Sequence, residues 1–138
     1  MKDEIIIKRM NYREPLKNHF EAQKISGRMA LFLNGESFSG KLLLEYDSGN
    51  LYSEGMIKNG FKEGEWRTFY ETGELKCKCP TRNGELYGDY LEYDEFGNLR
   101  YRCFMRNGYK NGEEVFYDRF GNELFSKRYI NGKEISGG

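Results

Sequence analysis

From residue 59 to residue 82 the chain reads NGFKEGEWRTFYETGELKCKCPTR, and its frame of glycines returns one period later. The opening Asn59-Gly60 has counterparts at Asn34-Gly35, Asn83-Gly84, Asn107-Gly108 and Asn131-Gly132, spaced by 25, 24, 24 and 24 residues. A second series keeps step with it: Gly40, Gly64, Gly88 and Gly112 each precede Gly49, Gly73, Gly97 and Gly121 by nine positions. A fixed period of this length marks a repeat architecture in which each unit touches only its neighbours.

Asn-Gly flanked by alternating residues signals a hairpin, because a type I′ turn needs positive φ at both central positions. In the quoted unit the chain therefore runs extended from Phe61 to Tyr70, turns at Glu71-Thr72-Gly73-Glu74, and returns from Leu75 to Arg82. The same reading places strands near 26–33, 41–46, 51–58, 85–93, 99–106, 109–117 and 124–130, with a stub after Asn131-Gly132. The returning strands alternate strictly. Leu75, Cys77, Cys79 and Thr81 oppose Lys76, Lys78, Pro80 and Arg82, while Leu99, Tyr101, Cys103 and Met105 oppose Arg100, Arg102, Phe104 and Arg106. Period-2 patterning means a sheet with one apolar face. The fold expected is all-β: an elongated, single, twisted antiparallel meander of 24-residue hairpin repeats, with about 9–11 strands.

Two-residue turns would set Lys78 opposite Asp89, Arg102 opposite Glu113, Gly88 opposite Cys79, Gly112 opposite Cys103 and Gly64 opposite Gly55. Small residues facing the repeat glycines imply a groove in which Trp66, Tyr90 and Tyr101 lie flat on backbone. The same arithmetic places Glu54 against Glu65, an unfavourable pair. Gly35 to Gly40 is one residue longer than its counterparts, which calls for a bulge in the first copy. Pro80 calls for a bulge or an early strand end. Residues 1–25 fall outside the repeat and serve as a cap, leaving 26–138 as the array. Within the cap, Ile5 to Tyr12 reads as a strand covering the first sheet edge, and Arg13 to Lys24 as a loop or short helix.

Composition narrows the function. Lys plus Arg equals Asp plus Glu at 22 each, so no global charge draws the chain to nucleic acid or anionic membrane. The start has three consecutive apolar residues, Ile5 to Ile7, too few for a signal-peptide core, and no run could span a bilayer; a cytoplasmic location is expected. His19 is the only histidine, so no nucleophile–histidine relay can be assembled, and Gly60 to Gly64 lacks the ending of a phosphate loop. Cys77, Cys79 and Cys103 read as free, half-buried thiols: Cys77 and Cys79 share a strand face about 7 Å apart, and Cys79 and Cys103 stand across an intervening strand. A Cys-x-Cys without a histidine or fourth cysteine completes no zinc site. No catalytic residue, cofactor or metal is expected.

The motif Asn-Gly-x3-Gly-x8-Gly-x-Leu resembles the bacterial variant of the MORN repeat. Asn59 to Leu75 and Asn83 to Leu99 fit in full, and Asn107 to Gly121 fits with Leu124 one place late. The copy at Asn34 is one residue longer and that at Asn131 is truncated, so the resemblance covers residues 34–138. It implies meandering antiparallel sheets and a role in protein scaffolding or phospholipid association, and some bacterial chains of this type are antitoxin-like. No catalytic set travels with it. Tyr93 to Leu99 and Tyr117 to Gly121 also look like the Tyr-Asp repeats of large toxin shells, which need many more copies. Choline- or glucan-binding hairpin repeats share the period but stack several Trp, and Trp66 stands alone.

Two surfaces are candidates for interaction. Lys76, Arg82, Arg100 and Arg106, with Lys58, Lys78 and Arg102, form a basic column on one face. It suits anionic lipid or RNA, or else is a solvated face neutralised by Glu63, Glu65, Glu85, Asp89 and Glu113; zero net charge favours the latter and makes nucleic acid the weaker partner. Tyr93 and Tyr117 occupy one slot in successive repeats and, with Phe69, offer an aromatic row to a protein partner, a toxin among the candidates.

Overall fold

A computed structural model of the chain describes residues 4–8 and 20–135. Its fourteen strands are β1 (Glu4–Lys8), β2 (Phe20–Ile25), β3 (Arg28–Leu33), β4 (Glu36–Ser37), β5 (Gly40–Glu45), β6 (Leu51–Lys58) and β7 (Phe61–Phe69). There follow β8 (Leu75–Arg82), β9 (Glu85–Leu86), β10 (Gly88–Tyr93), β11 (Leu99–Arg106), β12 (Tyr109–Tyr117), β13 (Glu123–Ile130) and β14 (Lys133–Ile135). No helix occurs among the described residues. The main sheet runs β1-β5-β6-β7-β8-β10-β11-β12-β13-β14, with β9 against β8. From β5 onward it is the antiparallel meander that the period predicts.

The Asn-Gly pairs are the reason. All five in-phase pairs have positive φ at both residues, as at Asn59 (51°) and Gly60 (90°), the backbone of a type I′ turn; the out-of-phase Asn111-Gly112 has it at Gly112 alone. These turns also bond to one another along the array. The N–H of Gly84 donates to the Lys62 carbonyl (2.9 Å), that of Gly108 to Leu86 (3.0 Å) and that of Gly132 to Lys110 (2.8 Å). Each hairpin is thus hung on the preceding one at a fixed offset, so the sequence period becomes a spatial one.

The register departs from two-residue-turn arithmetic. Pairing holds next to each turn, as between Lys58 and Phe61, and then slips by two residues at the repeat glycine. Lys78 accordingly faces Leu91 rather than Asp89, and Arg102 faces Val115 rather than Glu113. Cys103 faces Glu114 rather than Gly112, and Gly88 and Gly64 are not partnered with Cys79 and Gly55. The cause is a bulge on the second strand of each hairpin, centred on Gly64, Gly88 or Gly112, whose φ values are 88°, 122° and 105°. The slip removes the expected clash, because Glu54 now faces Arg67. Pro80 does not end β8. Its carbonyl accepts from Tyr87 N (3.0 Å), so its missing N–H points at the bulge between β9 and β10, where the ladder is already interrupted.

The N-terminal part adds what the repeat could not foretell. β1 pairs with β5 in parallel, covering the edge where β3 would otherwise continue the meander. β2, β3 and β4 form a separate three-stranded sheet, so the architecture is not a single sheet. The expected edge strand is thus present over residues 4–8, and its continuation to Tyr12 lies outside the described residues. Phe20 to Lys24 is strand, not loop or helix, and residues 13–19 also lie outside the described ones. The extra residue of the first copy falls at Phe38-Ser39, between β4 and β5. The Phe38 carbonyl still receives the Gly60 N–H (2.7 Å), so the turn stack continues. The small sheet closes the core: Leu31 and Phe38 pack with Leu42, Ile57 and Trp66.

Candidate functional site

The pairing assigns every array residue to one of two faces. Leu42, Gly55, Trp66, Cys79, Tyr90, Cys103 and Glu114 share one face, being the chain neighbours of Leu43, Glu54, Arg67, Lys78, Leu91, Arg102 and Val115, which share the other through successive pairs. Trp66 defines the first face. Its ring is 2 % exposed, lies flat on Gly55 as the groove reading expects, and donates from Nε1 to the Met56 carbonyl (3.0 Å).

The core of Trp66 and its neighbours occupies only part of that face. Further along, Tyr90, Tyr101, Phe116 and Phe125 form an aromatic ladder across β10 to β13. Successive ring centres are 6.1, 5.0 and 4.4 Å apart, the first two pairs edge to face and the last stacked. Such contacts add about 0.5–1.5 kcal/mol each beyond area burial. A shallow hollow of about 420 Å³ opens between Leu86, Tyr90, Glu92, Tyr101, Lys110 and Phe116. Glu114 lies buried behind it and accepts hydrogen bonds from the Tyr101 and Tyr129 hydroxyls and from Lys110 Nζ (2.5 Å). Phe125 is about half exposed at the far end.

The cysteines lie on this face and are free. Cys77 and Cys79 bring their sulfurs within 2.7 Å of each other. The hydrogen bond from Cys79 lowers the Cys77 thiol to about 7, while sharing that proton and burial raise Cys79. Burial also raises Cys103. Iodoacetamide should therefore modify Cys77 before Cys103. The rate should climb as pH rises through about 7, because below that value Cys77 holds its proton and above it the reactive thiolate fills. Peptide mass spectrometry after brief labelling reads the order, and Cys103 reacting first would contradict it.

The residues singled out from the sequence lie on the other face or at its turn end. Tyr117 accepts at its hydroxyl from Arg102 Nε (3.3 Å), on the basic side. Phe69, Tyr93 and Tyr117 recur at the 24-residue period and are all half-buried. Their carbonyls join repeat to repeat: Phe69 O accepts from the Tyr46 hydroxyl (2.7 Å) and Tyr93 O from the Tyr70 hydroxyl (2.7 Å). In the next repeat the tyrosine is replaced by Asp94, and Arg100 takes over, donating to Tyr117 O (3.0 Å) while pairing with Asp94 (3.6 Å). Arg100 is therefore a staple between repeats. Lys76 sits over the Tyr70 ring (5.6 Å) and Arg82 over Tyr87 (4.6 Å). The Arg106 and Arg82 guanidiniums hold the Tyr87 phenol below its ordinary range. Arg102 pairs with Glu113 diagonally (3.3 Å), despite the slipped register. Among the described residues, no carboxylate pairs with Lys76, Lys78, Arg82 or Arg106. Among the described residues the most exposed aromatics are Phe96 (88 %) and Phe120 (76 %), on successive turns.

Sequence reasoning put Tyr90 and Tyr101 on backbone but missed the ladder with Phe116 and Phe125. The two-residue slip sets these rings side by side, and the signal available was the period itself, which aligns residues 77, 101 and 125.

Fold and faces together define a β-hairpin repeat scaffold. Comparison with known families agrees: the MORN repeat variant matches at residues 62–83 and 86–107, so those two stretches are similar to MORN-variant repeats. Repeats of this family are protein- and membrane-interaction motifs, and the family is a repeat scaffold rather than a known enzyme family. No curated protein and no solved structure matches the chain. Among the described residues no helix is long and apolar enough to cross a membrane.

Proposed function

We propose that the chain is a non-enzymatic scaffold that docks a protein partner on the Trp66 face, beyond the part covered by the small sheet. The observation that supports this is the ladder of Tyr90, Tyr101, Phe116 and Phe125, apolar and open to solvent at one end. Rigid aromatic surface supplies most of the energy at protein interfaces. The antitoxin-like resemblance suggests a toxin as the partner, and a toxin-like reading frame beside this gene would supply the molecule to test.

The opposite face supports a second reading. Lys76, Lys78, Arg82 and Arg106, without carboxylate partners among the described residues, together with Phe69, Tyr93 and Tyr117, suit an anionic lipid surface. One set of variants separates the two. Alanine at Tyr90 or Phe125 should weaken binding of the purified partner by roughly 2 kcal/mol, with the unfolding midpoint checked in parallel. Neutralising Lys76, Lys78, Arg82 and Arg106 together, and leaving Arg100 as a staple, should change it little. Salt-sensitive sedimentation with phosphatidylserine vesicles, lost in the charge variant, would reverse the assignment.

A further inference from the structure

We infer that the hollow beside Tyr90 and Tyr101 receives a basic side chain, lysine or arginine, presented by the protein partner. This rests on the docking reading above and names the chemistry at its centre. In the flanking repeats the chain puts its own cation over a ring on this face. Lys62 Nζ stands 4.7 Å from the centre of the Trp66 ring, and Lys110 Nζ stands 4.9 Å from that of Tyr129. The 24-residue period makes 62, 86 and 110 one column, and its middle member is Leu86. The central repeat thus has aromatic walls and no ammonium of its own. It has an unbalanced carboxylate instead: Glu92 is exposed at the rim, accepts from the Tyr90 hydroxyl (2.6 Å), and pairs with no cation among the described residues. The other charge lining the hollow, Lys110, is taken up by Glu114. Ring faces and one negative charge favour an organic cation over an anion or a neutral apolar group. The stem of a lysine or arginine would lie along Leu86 while its head meets Glu92. A protein source fits because the aromatic surface continues past the hollow to Phe125, more area than a small amine would cover.

The test uses the full chain and two short capped peptides, Gly-Lys-Gly and Gly-Arg-Gly, with Gly-norleucine-Gly as the neutral control. NMR of the Met105 methyl and the tyrosine rings reads binding. The basic peptides should give saturable shifts, and the norleucine peptide should bind about tenfold more weakly or less. Leu86→Lys supplies a tethered ammonium and should reduce peptide affinity by about tenfold, and Glu92→Gln should reduce it several-fold. Neighbouring repeats already carry lysine in this column, so Leu86→Lys should keep its unfolding midpoint. Equal binding of the norleucine peptide, unchanged affinity in Leu86→Lys, or no shifts at all would overturn the inference. Partner binding weakened by Phe125→Ala in the absence of peptide shifts would leave the docking reading standing and remove the cation. Peptide shifts with partner binding indifferent to both Phe125→Ala and Leu86→Lys would remove the partner as the source.

Discussion

Gly55→Ala is expected to destabilise the protein by about 3 kcal/mol, at the upper end of overpacking losses. A Cβ on Gly55 would stand 2.2 Å from atoms of the Trp66 ring, and the ring has nowhere to go. Its Nε1–H is tied to the Met56 carbonyl, Lys62 lies over it, and Leu42 and Ile57 belong to the same buried cluster. The glycine is needed for space rather than for conformation, since Gly55 does not have positive φ. Trp66→Ala should cost about 3–5 kcal/mol by opening a cavity in the same place. The two effects should not add: with the indole gone, the new methyl group has room, so Gly55→Ala in a Trp66→Ala background should lose most of its penalty. Urea unfolding of the four chains measures the cycle. A Gly55→Ala protein within about 0.5 kcal/mol of the parent would refute the ring-on-glycine packing.

That contact was legible in part. Asn-Gly spacing fixes where the chain turns, because positive φ at two successive residues has few other solutions, and strands near 51–58, 75–82, 99–106 and 109–117 follow with little error. Alternation then sorts Cys77, Thr81, Cys103 and Met105 to the buried side of their strands. Pairing was less legible, because a bulge at Gly64 or Gly88 leaves the turn signal unchanged while shifting every partner beyond it. The N-terminal segment was the least legible. The parallel pairing of β1 with β5 and the folding of β2 to β4 over the core are long-range outcomes with no periodic trace. The candidate site inherits both difficulties. Charge and exposure draw the eye to the basic face, whereas the ladder emerges only when residues in four strands are set in their slipped register.

Glu114 shows what that register makes of a single residue. The period aligns it with Trp66 and Tyr90, so a carboxylate occupies a column that otherwise holds rings. It is 3 % exposed, yet three donors from two neighbouring strands and its own converge on it: Tyr101, Tyr129 and Lys110. Burial pushes its carboxyl up, but the hydrogen bonds from Lys110 and Tyr101, with the Lys110 charge, outweigh burial and leave it below the ordinary glutamate value. Glu114→Ala should cost about 3 kcal/mol, since it strands an ammonium and two hydroxyls against an apolar ladder. The pH dependence has a definite sign. A carboxyl lowered in the folded state contributes its full stability above its unfolded value, near 4.3, and loses it as pH falls from there through the folded value. The parent should therefore weaken on acidification below about pH 4.3, and Glu114→Gln, which keeps shape but not charge, should start less stable and show a shallower acid limb. Denaturation midpoints from pH 7 down to about pH 3 measure both. Parallel acid limbs for parent and Glu114→Gln would mean that this carboxylate is not held by its donors, and that the ladder stands without them.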